Sequence, residues 1–245
     1  MRPTSTEAPD DPALGATGEP GASSRPSGTP SGERATAGLG RDAGSGSGES
    51  IDRHVGKHVA GLEDTLRDRL RLRERRALPL AGETAASVLI ALFVDPSGEL
   101  RVWLLRKIET LRRHGGQVAL PGGKRDPGDA TPLETALREA EEEIGLLRSA
   151  SCLIGDFDDY LTSTGYVVWP HVVFVDPGFT PVADPNEVAR VFSAELACFL
   201  EAPSLQRVPL FGADRDVPGY RINGETIWGA TSAILQDVAR VLLDA

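Results

Sequence analysis

Leu120-Pro-Gly-Gly-Lys124, then Asp126 and Asp129, then Thr135-Ala-Leu-Arg-Glu-Ala-Glu-Glu-Glu-Ile-Gly-Leu146 joins a loop to a helix of opposite character. Pro121, Gly122 and Gly123 do not continue a helix, so they form a loop. Thr131 followed by Glu134 fits a capping box, with Pro132 at the first helical position. Gly145 fits a C-terminal stop. The spacing therefore predicts a helix over Pro132 to Ile144. Wound at 3.6 residues per turn, it carries Leu133, Ala136, Leu137, Ala140 and Ile144 on one apolar, core-facing stripe. Glu139, Glu142 and Glu143 stand at i, i+3 and i+4, stacked beside that stripe, while Glu141 points elsewhere. Three carboxylates so placed repel each other unless a cation sits among them. A hard divalent ion with oxygen ligands, Mg²⁺ or Mn²⁺, removes the conflict. A bare run of Glu is ordinarily a solvated face. Here the carboxylates border the core stripe, and they follow a Gly-rich loop able to approach a phosphate backbone-first.

Arg138-Glu139-Ala140-Glu141-Glu142-Glu143-Ile144-Gly145-Leu146 resembles the core of the Nudix box, R-E-U-x-E-E-x-G-U, with Gly123 as its leading Gly. The Gly-to-Arg spacing is one residue longer than usual, and Asp129 stands nearest the box's first Glu. That variant is similar to the branch of Nudix hydrolases containing the coenzyme A pyrophosphatases, whose loop reads P-G-G-K-x-D-x-x-D. Leu104-Leu105-Arg106-Lys107 with Leu111, Arg112, His114 and Gly116-Gln117-Val118 resembles that branch's upstream signature. Further similarity lies in Thr164-Gly165-Tyr166, in Glu187-Val188-Ala189 with Val191-Phe192, and in Trp228-Gly229 with Thr231, so the likeness spans about Ala85 to Leu243.

The resemblance implies water-driven cleavage of a nucleoside diphosphate-linked compound. It implies that Glu139, Glu142 and Glu143 hold Mg²⁺ or Mn²⁺ with the carbonyl of Gly123, that Glu139 doubles as base, and that Arg138 orients the carboxylates. Glu187 is a candidate extra ligand or base. Arg106, Arg112, His114 and Lys124 are candidate phosphate contacts, Arg through its fork and Lys as a point charge. Gln117 is a candidate for a polar group of the substrate. Trp169 and Tyr166 suit either adenine stacking or core packing. The substrate expected is coenzyme A or acyl-coenzyme A, cut to 3′,5′-ADP and (acyl-)phosphopantetheine. The rivals are a Nudix pyrophosphatase for a nucleotide sugar or dinucleotide, and a non-catalytic ligand-binding regulator, against which the intact box argues.

The chain has 245 residues, a formal net charge of −10 and a pI near 5.0, so the protein as a whole offers no basic field for nucleic acid. No apolar run is long enough to span a membrane, and no apolar signal region follows Met1-Arg2. Cys152 and Cys198 form neither a metal pattern nor a disulfide framework, and suit small buried apolar residues in a reducing cytoplasm. The expected partner is a small-molecule nucleotide, with no nucleic acid and no membrane; a homodimer stays open. Residues 1–49 are rich in Gly, Ser, Pro, Thr and Ala, too poor in large apolar side chains to offset ordering entropy, and read as a disordered tail. Residues 50–80 read as an amphipathic N-terminal helix, with Ile51, Val55, Val59, Leu62, Leu66 and Leu70 on one side and an Arg-rich exit from Arg71 to Arg76. Residues 81–245 read, on that resemblance, as a Nudix domain.

Within that domain the pattern predicts strands at Ala86 to Val94, Leu100 to Leu105, Gly116 to Leu120, Cys152 to Phe157, Val167 to Val175 (interrupted by Pro170) and Val188 to Phe192. A short helix is predicted from Ala194 to Leu200, a hairpin from Arg207–Phe211 and Tyr220–Ile222 across a Gly212–Pro218 loop, and a closing helix from Glu225 to Leu243. Strands on both sides of the box helix and a helix at the end imply an α/β fold, a mixed β-sheet sandwiched between helices, which is the Nudix α/β/α form.

Overall fold

The computed structural model describes residues 61–111, 114–210 and 212–244. The expected tail, the first part of the amphipathic helix and Arg112 lie outside the described residues.

Alternation along the central strand sets the layers. In β1 (Thr84–Val94), Ala86, Ile90 and Leu92 enter one core and Leu89 and Ala91 the other. Both faces of this strand are covered, which is why it reads as an unbroken apolar run. β2 (Leu100–Lys107) and β7 (Tyr166–Val175) divide their side chains the same way: Val102, Leu104, Val172 and Phe174 face one side, Leu105, Val173 and Val175 the other. Helix α1 (Pro132–Ile144) covers the second face with Ala136, Leu137, Ala140 and Ile144. Helix α2 (Gly229–Leu243) covers the first with Ile234, Leu235, Val238, Ala239 and Leu242, beside Leu66 and Leu70 of a helical segment at residues 61–71. The result is the expected mixed sheet between helices.

β1 runs parallel to β7 from Thr84↔Tyr166 to Leu92↔Phe174. Its other edge is shared. β2 pairs with it antiparallel at Leu92 to Val94, and β4 (Gly122–Lys124) pairs with it antiparallel at Ala86 to Val88. Beyond its contact with β1, β2 pairs with β3 (Val118–Ala119), and β8 (Val188–Glu195) lines its far edge. β5 (Ser151–Asp156) and β6 (Tyr160–Leu161) pair in succession with β7. Pro170 does not interrupt β7, because its missing N–H falls in the gap between those two partners, where its carbonyl accepts from Phe157 N at 2.9 Å.

A separate sheet of β9 (Ser204–Leu210), β10 (Ala213–Ile222) and β11 (Glu225–Trp228) departs from expectation twice. Leu210 pairs with Ala213, so the expected Gly212–Pro218 loop is strand from Ala213 onward, with Gly212 left as a turn at φ 77°. The closing helix begins at Gly229 rather than Glu225, because Glu225–Trp228 returns along β10 from Ile222↔Glu225. The cause is Asn223-Gly224, both at positive φ (54° and 81°), a two-residue hairpin turn. β8 runs on to Glu195, leaving a short 3₁₀ turn at Leu196–Leu200 where a helix from Ala194 is expected. The N-terminal helix stops at residue 71, short of 80; the Arg-rich exit is drawn into ion pairs instead. Cys152 is exposed and Cys198 half-buried, so neither fills the core.

Leu66 is 1 % exposed and ties the N-terminal helix to the core. Leu66→Ala should lower unfolding free energy by about 2–4 kcal/mol, read as a shifted denaturant midpoint. An unchanged midpoint would show that this helix is not part of the cooperative unit.

Candidate active site

Helix α1 forms between the caps its sequence contains. Thr131 Oγ1 accepts from Glu134 N at 3.2 Å, and Glu134 reaches back to Ala130 N at 3.0 Å rather than to the cap residue itself. Gly145, at φ 70°, closes the helix, its N–H donating to Glu141 O at 3.0 Å. The glycines of β4 bring the loop onto the helix. A Cβ at Gly122 (φ 149°) would run into the Ser87 carbonyl and Val88, and one at Gly123 into the Glu139 carboxylate. Bare backbone thus lies directly against Glu139.

The three carboxylates differ sharply in environment. Glu143 is 1 % exposed, is bonded to Lys107 Nζ and accepts from Gly122 N at 2.9 Å. Burial pushes its carboxyl up to about 7, with Lys107 and the Gly122 N–H pulling against it. Glu139 is partly buried, and burial raises its pKa while Arg138 opposes the rise. Glu142 is exposed and accepts from Arg138 Nη1 at 3.0 Å. Arg138 also grips Asp129 through two bonds of 3.1 Å and Glu139 at 3.0 Å, and donates to the Lys124 carbonyl at 3.3 Å. Its hydrogen bonds hold the Asp129 carboxyl far below the usual range. Asp129, nearest the missing Glu of the box, is thus the anchor of Arg138.

Among the described residues no three His, Cys, Asp or Glu side chains converge into a ready ion cage. Glu142 leans outward to Arg138 and Glu143 inward to Lys107, so two protein cations balance the acidic face. The donor set nonetheless fits a hard divalent ion. It is all oxygen, Glu139 and Glu143 are desolvated against the Gly122–Gly123 backbone, and Arg138 and Lys107 occupy positions of positive charge that an ion would share or replace.

A cavity of about 460 Å³ opens beside this cluster. Lys107, Gly122, Gly123 and Lys124 line one part; Leu111, Tyr160, Leu210 and Trp228 give it apolar walls elsewhere. His114 and Gln117 line it too, His114 Nδ1 lying 2.9 Å from Gln117 Oε1, and Lys124 Nζ stands 5.8 Å from the centre of the Tyr166 ring. Arg106 does not line it; its guanidinium is paired with Glu109 and Glu225 at 3.3 and 3.7 Å. Trp169 does not line it either, whereas Tyr166 does. Glu187 reaches the cluster only through Lys107 Nζ, at 3.6 Å.

Residues 83–210 match the NUDIX domain. The chain belongs to the Nudix family. It is 36 % identical over 157 residues to the "Uncharacterized Nudix hydrolase NudL" of Photorhabdus laumondii, covering 63 % of this chain and 83 % of that one. Identity to the protein of the same name in Yersinia enterocolitica is 38 % over 160 residues, covering 63 % and 80 %. Among solved structures it is similar to the MutT protein of Methanosarcina mazei, with 22 % identity, a TM-score of 0.43, and 66 % and 94 % coverage. The chain is accordingly a Nudix pyrophosphohydrolase, of a family that works on small nucleotides with divalent metal ions. No helix among its described residues is long and apolar enough to cross a membrane.

Sequence reasoning missed Lys107 as a site residue, although it closes the quoted Leu-Leu-Arg-Lys run. Lys107→Met removes the cation that opposes burial, so the Glu143 carboxyl rises further and takes up a proton at neutral pH. The variant should lose about 1–3 kcal/mol of stability, and adding Glu143→Leu should restore part of the loss. Additive losses in the double-mutant cycle would show that the two side chains are not coupled.

Proposed function

We propose that this Nudix hydrolase cleaves coenzyme A or acyl-coenzyme A to 3′,5′-ADP and (acyl-)phosphopantetheine, acting in the cytoplasm with Mg²⁺ or Mn²⁺. The observation that carries the reading is a cavity that borders the carboxylate cluster through Gly122 and Gly123 and is also lined by Leu111, Tyr160, Leu210 and Trp228. A coenzyme A molecule has that division: an anionic diphosphate in its middle, and a base and a long, mostly uncharged arm on either side. The upstream, middle and C-terminal segments that resemble the coenzyme A branch contribute His114, Gln117, Tyr166 and Trp228 to the same walls.

Glu139, Glu142 and Glu143, with the carbonyl of Gly123, would hold the ion. When bound, it neutralises the diphosphate and lowers the pKa of attacking water. Lys124 and His114 face the cavity as phosphate contacts. Arg138, fixed by Asp129, keeps Glu139 and Glu142 aligned. Glu139, desolvated beside Gly123, or Glu187 takes the proton from water.

Coenzyme A, dephospho-coenzyme A, ADP-ribose and a diadenosine polyphosphate should be incubated side by side with Mg²⁺, Mn²⁺ or EDTA and the products weighed by mass spectrometry. The expected result is ion-dependent 3′,5′-ADP from coenzyme A, with the other three poor. Cleavage of the others but not of coenzyme A would discard the substrate and keep the Nudix chemistry. Because Glu142 is exposed, Glu142→Gln should leave the melting temperature nearly unchanged while kcat falls at least about a hundredfold; unchanged turnover would remove Glu142 from the ion's ligands.

A further inference from the structure

Between the helix at 61–71 and β1, residues 74–80 have no regular secondary structure, yet they are bound tightly to one place. Arg73 Nη1 donates to Asp158 Oδ1 at 2.7 Å, and its guanidinium lies 4.3 Å over the buried Phe157 ring. Arg75 donates to Asp159 Oδ1 at 2.5 Å and to the Phe157 carbonyl at 2.9 Å. The backbone joins in: Arg76 N donates to Asp158 Oδ1 and Leu78 N to Asp159 Oδ2, each at 2.8 Å, and Asp159 N donates to Arg76 O at 3.0 Å. Asp159 is 2 % exposed. A carboxylate that deep needs its partners in place, and this strap, residues 73–78, supplies those of Asp158 and Asp159, while Phe157 N is held by Pro170 O.

The next residues form a wall of the cavity. Tyr160 pairs with Val168 at the start of β6, and Tyr160, Thr162, Ser163 and Thr164 all line the cavity. Neither Arg73, Arg75, Asp158 nor Asp159 does. α1 covers the other face of the sheet, and among the described residues its carboxylates share no ion pair or hydrogen bond with the strap.

We propose that the strap is a positioning device for the substrate cavity: through Asp158 and Asp159, Arg73 and Arg75 fix the wall made by Tyr160 and the 162–164 turn, and so set substrate affinity without touching substrate. The proposal rests on the reading that this cavity holds the substrate. A sequence element N-terminal to the Nudix domain thereby becomes a determinant of KM.

The test measures KM and kcat of the full chain and of Arg75→Ala, Arg75→Lys and Asp159→Asn, on whichever compound the wild type cleaves in the substrate panel. Failure of the coenzyme A reading therefore leaves it intact. Arg75→Ala and Asp159→Asn should raise KM by about 5–20-fold with kcat within about threefold. Arg75→Lys should recover part of the affinity. Hydrogen exchange should quicken at residues 158–166 and stay unchanged in α1. Val102→Ala, a core change away from the strap, serves as the control for general destabilisation. Should Asp159→Asn fail to fold, Arg73→Ala, which keeps the Asp159 pair, gives the same readout. An unchanged KM in the strap variants would overturn the proposal. So would an equal rise in KM in Val102→Ala.

Discussion

The close approach of Gly122–Lys124 to β1 is the constraint on which the site depends. β4 pairs with Ala86 to Val88 while its other side rests on Glu139, and neither Gly122 nor Gly123 has room for a Cβ. The strand is three residues long, so its own ladder contributes little. It is held because β1 is fixed on its far edge by nine residues of parallel pairing with β7, because Leu89 N donates to Pro121 O at 2.8 Å, and because Gly122 N donates into the buried Glu143. A buried carboxylate that satisfies a loop N–H and a lysine does two things together: it locks the loop, and it keeps an ionisable group where water does not reach it.

That arrangement explains the charge distribution around α1. Stacked carboxylates on one helix face repel, and here the protein supplies two counter-charges of its own. Arg138 bridges Asp129, Glu139 and Glu142; Lys107 bridges Glu143 and Glu187. Both are long, flexible side chains whose bonds on the exposed side are readily exchanged. Asp129 keeps Arg138 near Glu139 and Glu142 without using up its charge on either. The longer spacing between Gly123 and Arg138 is therefore not a defect in the box but room for a different anchor.

Much of this was legible in the sequence, and the misses have physical causes. Thr131, Pro132 and Gly145 fixed both ends of α1 because caps are local chemistry. The sheet was legible in β1 because both its faces are buried. The placement of Glu143 beside Glu139 and Glu142 followed from i, i+3, i+4 spacing, yet Glu143 is also seven residues after Ala136, about 20° from it around the helix, which puts it within the core stripe. The role of Lys107 was not legible, because its partner is 36 residues away and only the fold joins them. Asn223-Gly224 was a hairpin signal in plain sight, outvoted by the apolar periodicity that runs on through Ile227 into α2. The Arg73–Asp158 and Arg75–Asp159 pairs, more than eighty residues apart, had no sequence signal at all.

The sheet also separates the carboxylate helix from the apolar part of the cavity. α1 and its carboxylates cover one face; the apolar part of the cavity, with Ala86, Val88, Val168 and Ile234, lies on the other. The two meet at Gly122 and Gly123, which line the cavity and lie against Ser87, Val88 and Glu139 with no room for a side chain. Tyr160, Leu210 and Trp228 line the cavity from outside α1, and Lys107, which lines it too, joins it to Glu143 of α1. On the proposed reading of the cavity, a fold built this way retains one reaction while exchanging substrates, and specificity is to be sought on the face away from the box helix.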